Sequence, residues 1–317
     1  GVAEISLDKI DHLEKLSERA WCLFGQGGNV AFLVTDDGVI VVDAQYDRVA
    51  EGVIAQIRTV TDRPIRYLIS THYHDDHTGG NKVFARQAEI IAHERVRPRM
   101  LEYPEVIRRT FPERLQEIQA EIGTLPEGDV WRVALEKDAG LMRFFLDSVA
   151  AFNPAEVAAP KLTYDSQMKV WMGGQEIWIL HVAPGHTDGD SIVFFRNENV
   201  LHMGDLFFNG MYPFIDMPGG GSVRGYIESV DYAIGHVPGD AKVIPGHGPV
   251  TDIAGLKRMR SFLSDLLADV EKASRAGMSR ADSVRAIRME AYPEIKPAFR
   301  VLGNVVAAAW DEIRSEK

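Results

Sequence analysis

The stretch STHYHDDHTGGN at 70–81 puts three histidines and two aspartates between positions 72 and 77. Neutral imidazole and carboxylate are the ligand types zinc takes, with iron and manganese next. His72 and His74 are two residues apart, so in an extended segment both point the same way. Asp76 and His77 follow where the chain turns and can reach the same point from another side. A polar turn that merely happens to hold histidines is the plainer reading, but it crowds unpaired polar groups at a partly buried strand end.

Three more segments carry ligand-type residues beside small or turn residues. HVAPGHTDGDS contains His186, VLHMGDLFF contains Asp205, and VIPGHGPV contains His247. Each alone is a weak signal, and a histidine in a Gly-Pro loop is more often a surface residue. Together with 72–77 they supply five histidines and two carboxylates, more than one tetrahedral ion needs and the number a two-metal site uses. His12, His93, His181, His202 and His236 fall outside these segments, and His181 and His202, inside apolar runs, read as core residues.

The elements around these residues place them. IRYLIS (65–70) is short, apolar and β-branched, so it reads as a buried strand that ends at the histidines. Strands are expected at 19–25, 29–35, 38–44, 88–94, on both sides of the GG in 161–182, and on both sides of NEN in 190–205. AKVIPGHG is a strand running into a loop, and 46–60 and 222–236 have helical spacing. The four ligand-bearing segments thus follow strands on one edge, where α/β proteins bind ligands. Residues from about 95 to 160 are charged, helical and interrupted by prolines. They read as an insertion, either a solvated spacer or a lid or dimer contact. From about 252 to 317 only helices are expected, with Leu256, Met259, Phe262, Leu263, Leu266, Leu267 and Val270 forming one apolar stripe. The expectation is one α/β domain over 1–317, with layers helix, sheet, sheet, helix.

A chain of 317 residues with 45 % hydrophobic and 26 % charged residues can bury a sizeable core. Its formal charge of −11 argues against a nucleic-acid partner, which needs clustered Lys and Arg. No run of eighteen apolar residues suggests a membrane span, and no signal-peptide pattern is read, so the compartment stays open. The single cysteine, Cys22, reads as a buried strand residue.

THYHDDHTGG resembles the HxHxDH signature of the metallo-β-lactamase fold superfamily, and GHTDGD, GD and PGHG follow in that family's order over about 15–255. The resemblance implies an αββα sandwich with two zinc ions. His72, His74 and His186 would hold one, Asp76, His77 and His247 the other, and Asp205 would bridge them. Lactamases of the first subclass have a cysteine at the Asp205 position and a lysine three residues later; this chain has Asp205 and Phe208. It looks more like the glyoxalase II, lactonase and environmental-hydrolase branch. His74, where flavodiiron-type relatives have glutamate, argues against oxygen chemistry.

The expected activity is attack of a metal-held hydroxide on a small cyclic amide, ester or thioester, with Asp76 as the catalytic carboxylate and β-lactam turnover as one form of it. Asp75 or Asp190 is expected to fix histidine tautomers. The aromatic segment LFFNGMYPFIDMPGGGSVRG (206–225) is either a plug under a long loop or the substrate wall, with Phe207, Phe208, Asn209, Tyr212 and Phe214 as its contacts and Tyr73 nearby. The competing readings are a phosphodiesterase or nuclease, and a non-hydrolytic metal-binding or iron oxidoreductase protein. The partner expected is a small-molecule substrate.

Overall fold

The computed structural model describes residues 10–150, 152–297 and 304–315. The first half opens with β1 (Ile10–Lys15), β2 (Ala20–Gly25), β3 (Val30–Thr35) and β4 (Gly38–Val42), then α1 (Asp47–Val60) and β5 (Ile65–Ile69). Two single-turn helices follow, α2 (Asp75–Thr78) and α3 (Asn81–Phe84), before β6 (Glu89–His93). A helical hairpin, α4 (Val96–Thr124) and α5 (Val130–Ala150), intervenes before β7 (Leu162–Tyr164). The second half comprises β8 (Gln167–Met172), β9 (Gln175–Leu180), β10 (Ile192–Phe195), β11 (Val200–His202), α6 (Val223–His236), β12 (Lys242–Ile244) and β13 (Thr251–Asp252). It closes with α7 (Ile253–Arg275), α8 (Arg280–Ala286) and α9 (Val305–Ser315).

Two sheets result, ordered β1-β2-β3-β4-β5-β6-β7 and β13-β12-β11-β10-β9-β8. Pairing is antiparallel from β1 to β4 and parallel from β4 to β7. In the second sheet β11 and β12 are parallel and the other pairs antiparallel. Strand alternation explains the layers. On β2, β3 and β4 the residues Cys22, Phe24, Ala31, Leu33, Ile40 and Val42 pack between the sheets, while Leu23, Val30, Phe32, Val39 and Val41 pack on the outer helices. On β10, Val193 and Phe195 face inward and Ile192 and Phe194 face the C-terminal helices. The architecture is the expected αββα arrangement.

The outer helices are amphipathic. α1 buries Val49, Ala50, Val53 and Ile57, each large aliphatic contributing roughly 1.5–3 kcal/mol. α7 buries Leu256, Met259, Phe262, Leu263, Leu266 and Val270, the stripe read from the sequence, with Leu267 partly buried beside it. Ser222 and Asp252 cap α6 and α7 by accepting Gly225 N–H (3.1 Å) and Gly255 N–H (3.0 Å).

Three expectations change. β1 was unforeseen, because IDHLEK is an edge strand with little burial and no apolar alternation. β7, from the segment assigned to the second half, joins the first sheet beside β6. Prolines do not break the insertion: α4 is one 29-residue helix across Pro104 and Pro112. Each interior proline costs about 3 kcal/mol or more, offset by packing of Phe111, Leu115, Ile118 and Ile122 against Trp131, Leu135, Ala139 and Met142 of α5.

Candidate metal centre

β5 delivers the chain to Ser70, and a bend through Thr71–Tyr73 leads to an extended His74 (φ −63°, ψ 147°) before α2. His72 and His77 are fully buried, and His74 is nearly so. His186 follows β9, Asp205 follows β11 and His247 follows β12, so four strand ends converge. His72, His74, His186 and Asp205 each offer one ligand atom within a 4.8 Å cluster; Asp76, His77 and His247 form a second cluster of the same size. Asp205 faces both. Its Oδ2 lies 3.4 Å from His186 Nε2 and 3.8 Å from His72 Nε2, and its Oδ1 lies 3.2 Å from His77 Nε2 and 3.5 Å from His247 Nε2.

The hydrogen bonds around the rings assign their tautomers. Thr71 N–H and Oγ1–H donate to Asp43 Oδ1 and Oδ2 (both 2.8 Å), so Thr71 Oγ1 accepts from His72 Nδ1–H (3.0 Å). His77 Nδ1–H donates to Asp43 Oδ2 (2.7 Å), and His186 Nδ1–H to Phe214 O (2.8 Å). His74 is turned the other way: its Nε2–H donates to Asp216 Oδ2 (2.8 Å), which also accepts from the Tyr73 hydroxyl. The lone pairs left over are Nε2 of His72, His77 and His186 and Nδ1 of His74. All four point at the clusters.

The nitrogens and the Asp205 oxygens converge on two points where cations would sit. His72 Nε2 and Asp205 Oδ1 are buried with no hydrogen-bond partner. Unpartnered buried polar atoms cost about 1–3 kcal/mol each, and a metal ion satisfies all of them at once. The residues therefore fit metal ions, and zinc suits the nitrogen-rich donor set. Electrostatics without metal reflect the same convergence. Burial holds His72 and His186 down, His186 to about 4. Burial opposes charge on His247 too, but Asp205 and Asp76 outweigh it and raise it to about 9.

Backbone and side-chain devices missed in the sequence hold this geometry. Asp43 and Gln45 sit at positive φ, 64° and 59°, a conformation costing roughly 1–3 kcal/mol for such residues. Asp43 there reaches Thr71 and His77. Gln45 accepts from Gly27 N–H (2.8 Å) and donates to Gly28 O (2.6 Å), pinning the GQGG turn against His77. A Cβ on Gly28 would lie 2.0 Å from His77 Cε1. Asn29 Nδ2 donates to Pro245 O (2.9 Å) and Gly248 O (2.8 Å), fixing the loop of His247. The tautomer-fixing carboxylates are thus Asp43 and Asp216, not Asp75 or Asp190. Asp190 instead accepts from Thr187 N–H, Thr187 Oγ1–H (2.6 Å) and Gly185 N–H, bracing the backbone on both sides of His186. The signal for Asp43 was a lone acid ending the apolar run GVIVV; Asp216 had none.

A cavity of about 670 Å³ opens over the clusters, with Asp76, Asp205, His74, His186 and His247 among its lining residues. Phe208, Met211, Phe214 and Tyr73 line it. Phe207 and Tyr212 do not. Adjacent residues on an extended chain point opposite ways, so Phe207 enters the core while Phe208 stacks on His247 at 5.2 Å. Tyr212 packs in that core and its hydroxyl accepts from Met289 N–H (3.2 Å), a partner far along the chain. Asn209 Nδ2 donates to Pro249 O (2.8 Å), outside the cavity lining. Of the remaining histidines, His202 is buried and bonded to Asn29 O and Gly204 N–H. His181 is half-buried, stacked on His93 at 3.9 Å. Among the described residues no helix is long and apolar enough to cross a membrane.

Comparison with known proteins gives a consistent result. The family model described as metallo-beta-lactamase superfamily matches residues 24–247. The linear primary-alkylsulfatase of Pseudomonas sp. (strain ATCC 19151) is 21% identical over 263 residues, 82% of this chain and 44% of that protein, so this chain spans less than half of its length. The probable metallo-hydrolase YqjP of Bacillus subtilis (strain 168) is 25% identical over 251 residues, 75% of this chain and 72% of that one. Among solved structures, a metallo-beta-lactamase from Pontibacter korlensis superposes with a TM-score of 0.56 at 16% identity, covering 81% of this chain and 99% of that chain.

Proposed function

The chain belongs to the metallo-beta-lactamase superfamily, and from that premise we propose that it is a dinuclear zinc hydrolase that opens a small cyclic amide or ester or cleaves a thioester. The observation that carries the reading is Asp205, whose two oxygens face different clusters. One zinc would sit among His72, His74, His186 and Asp205, and the other among Asp76, His77, His247 and Asp205. Bound there, the metals supply a Lewis acid for the scissile carbonyl and a nucleophile at neutral pH.

The chain's own residues do the rest. Asp76 lines the cavity with Oδ2 3.2 Å from His247 Nε2, where it orients the nucleophile and takes its proton. Asp43 and Asp216 lock the imidazoles so that no reorganisation accompanies turnover. Phe208 and Phe214 exclude water from one wall. The alkylsulfatase relative raises a sulfate ester as a second substrate type. Against it, the only Lys or Arg lining the cavity among the described residues is Lys82, and it is paired with Asp47 at 2.7 Å.

The test is turnover by zinc-loaded protein on nitrocefin, a carbapenem, a lactone, a glutathione thioester, a phosphodiester and an alkyl sulfate, with metal content measured alongside and Asp205→Ala in parallel. Acyl turnover with two zinc per chain, both lost in the variant, is expected. Turnover of the phosphodiester or sulfate alone refutes acyl transfer.

A further inference from the structure

The hairpin's apolar residues fall into two sets. Near its tip, Phe111, Leu115, Ile118 and Ile122 of α4 meet Trp131, Leu135, Ala139 and Met142 of α5 and form a small core of their own. At its base the helices have another apolar face. Met100, Tyr103 and Ile107 of α4, and Leu141, Phe145 and Val149 of α5, line the cavity that reaches Asp76 and Asp205. Their spacing, three or four residues apart, puts each trio on one side of its helix. Ile107 and Val149 are buried although they border open cavity.

The base is also anchored. Arg99 Nε and Nη2 donate to Asp188 Oδ1 (3.2 Å) and Oδ2 (2.7 Å), and its Nη1 to Pro218 O (3.3 Å). These loops carry His186 and Asp216, so the hairpin is tied to the metal centre from both sides. Tyr103 completes the contact, its ring 4.9 Å from Tyr73 and 5.6 Å from His74.

Charge narrows what fits. Beyond the clusters the lining acids are Asp47, Asp75 and Glu156, and the sole lining Lys or Arg among the described residues, Lys82, is already paired with Asp47. An anionic group placed among the hairpin side chains would give up water and gain no cationic partner.

We infer that the base of the α4–α5 hairpin is a tail-binding subsite continuous with the metal centre, built for uncharged substrates carrying an aliphatic or aryl tail. The inference rests on the proposed hydrolase site only for the position of the reacting carbonyl. Burying a methylene on this surface tightens binding roughly three- to fourfold, so affinity is expected to climb with tail length until the cavity is filled.

The experiment is calorimetric titration of the full-length zinc-loaded protein with 2-alkanones from butanone to decanone. These present a carbonyl and a tail but have no leaving group. Affinity rising about threefold or more per methylene, with a shallower rise in Phe145→Asp, supports the subsite. A flat series in the unmodified protein overturns it, whatever the variant does. Ketone binding as expected with no turnover of lactams, lactones or thioesters carrying the matching tails overturns the hydrolase reading and leaves the subsite standing.

Discussion

His74 Nδ1 lies 2.9 Å from His186 Nε2, and both rings are held from behind, His74 Nε2–H by Asp216 and His186 Nδ1–H by Phe214 O. Burial opposes charge on His74, but Asp216 outweighs it and raises its pKa, so without metal a proton on His74 Nδ1 bridges to His186, and an ion binding both nitrogens would take that proton's place. The contact exists because the partners on the far side of each ring hold it there, and those partners are where substitution is most informative.

Asp216→Asn removes the charge behind His74 and weakens the anchor of Tyr73. Metal affinity of the first cluster is expected to fall roughly 10–100-fold, with the second unchanged. Asp43→Asn acts on both, since Asp43 holds His77 directly and His72 through Thr71. Stepwise chelator competition distinguishes the two patterns.

Gly28→Ala places a methyl where the His77 ring lies, 2.0 Å from Cε1. The ring must move, so the second cluster is expected to empty while the first keeps its ion. Stability should fall by about 1–3 kcal/mol. Metal content by mass spectrometry and a denaturant melt measure both effects.

His247 in the metal-free chain is raised from 6.5 to about 9 by Asp205 and Asp76, against the opposing effect of burial. A raised histidine contributes stability that is complete below its unfolded value and is lost as pH rises through the folded one. The metal-free chain is therefore expected to lose stability between about pH 6.5 and 9, and the zinc-loaded chain to lose less. Since zinc needs the neutral ring, loading at pH 7.5 should release protons, detected as a dependence of the calorimetric heat on buffer ionisation enthalpy.

Leu135→Ala opens a hole in the hairpin's own core, where Leu135 is fully buried. A loss of roughly 2–5 kcal/mol is expected, confined to the hairpin as faster proteolysis within 96–150, with both metals retained.

Local order in the chain already determined much of this. Strands β2 to β6 are short, largely apolar runs whose alternate side chains serve two apolar layers, a pattern independent of what they pair with. The crowding of His72, His74, Asp76 and His77 after one such strand was enough to announce metal chemistry, since no other role satisfies so many polar groups at a buried strand end. The polar edge strand β1 and the continuous α4 escaped because pairing and packing, not local preference, stabilise them.

Tertiary structure alone decided the rest. Which nitrogen of each imidazole faces the metal depends on Asp43, Thr71, Asp216 and Phe214 O, and His186 and its partner at Phe214 are 28 residues apart. Asp216 is 142 residues from the histidine it orients, and only the folded chain brings them within 2.8 Å. The same holds for the aromatic segment, where Phe207 and Phe208 are alike in sequence yet one fills the core and the other faces the metal centre. Spacing specifies which residues can act together. Orientation depends on partners the spacing does not contain, because a hydrogen bond is fixed by direction as well as distance.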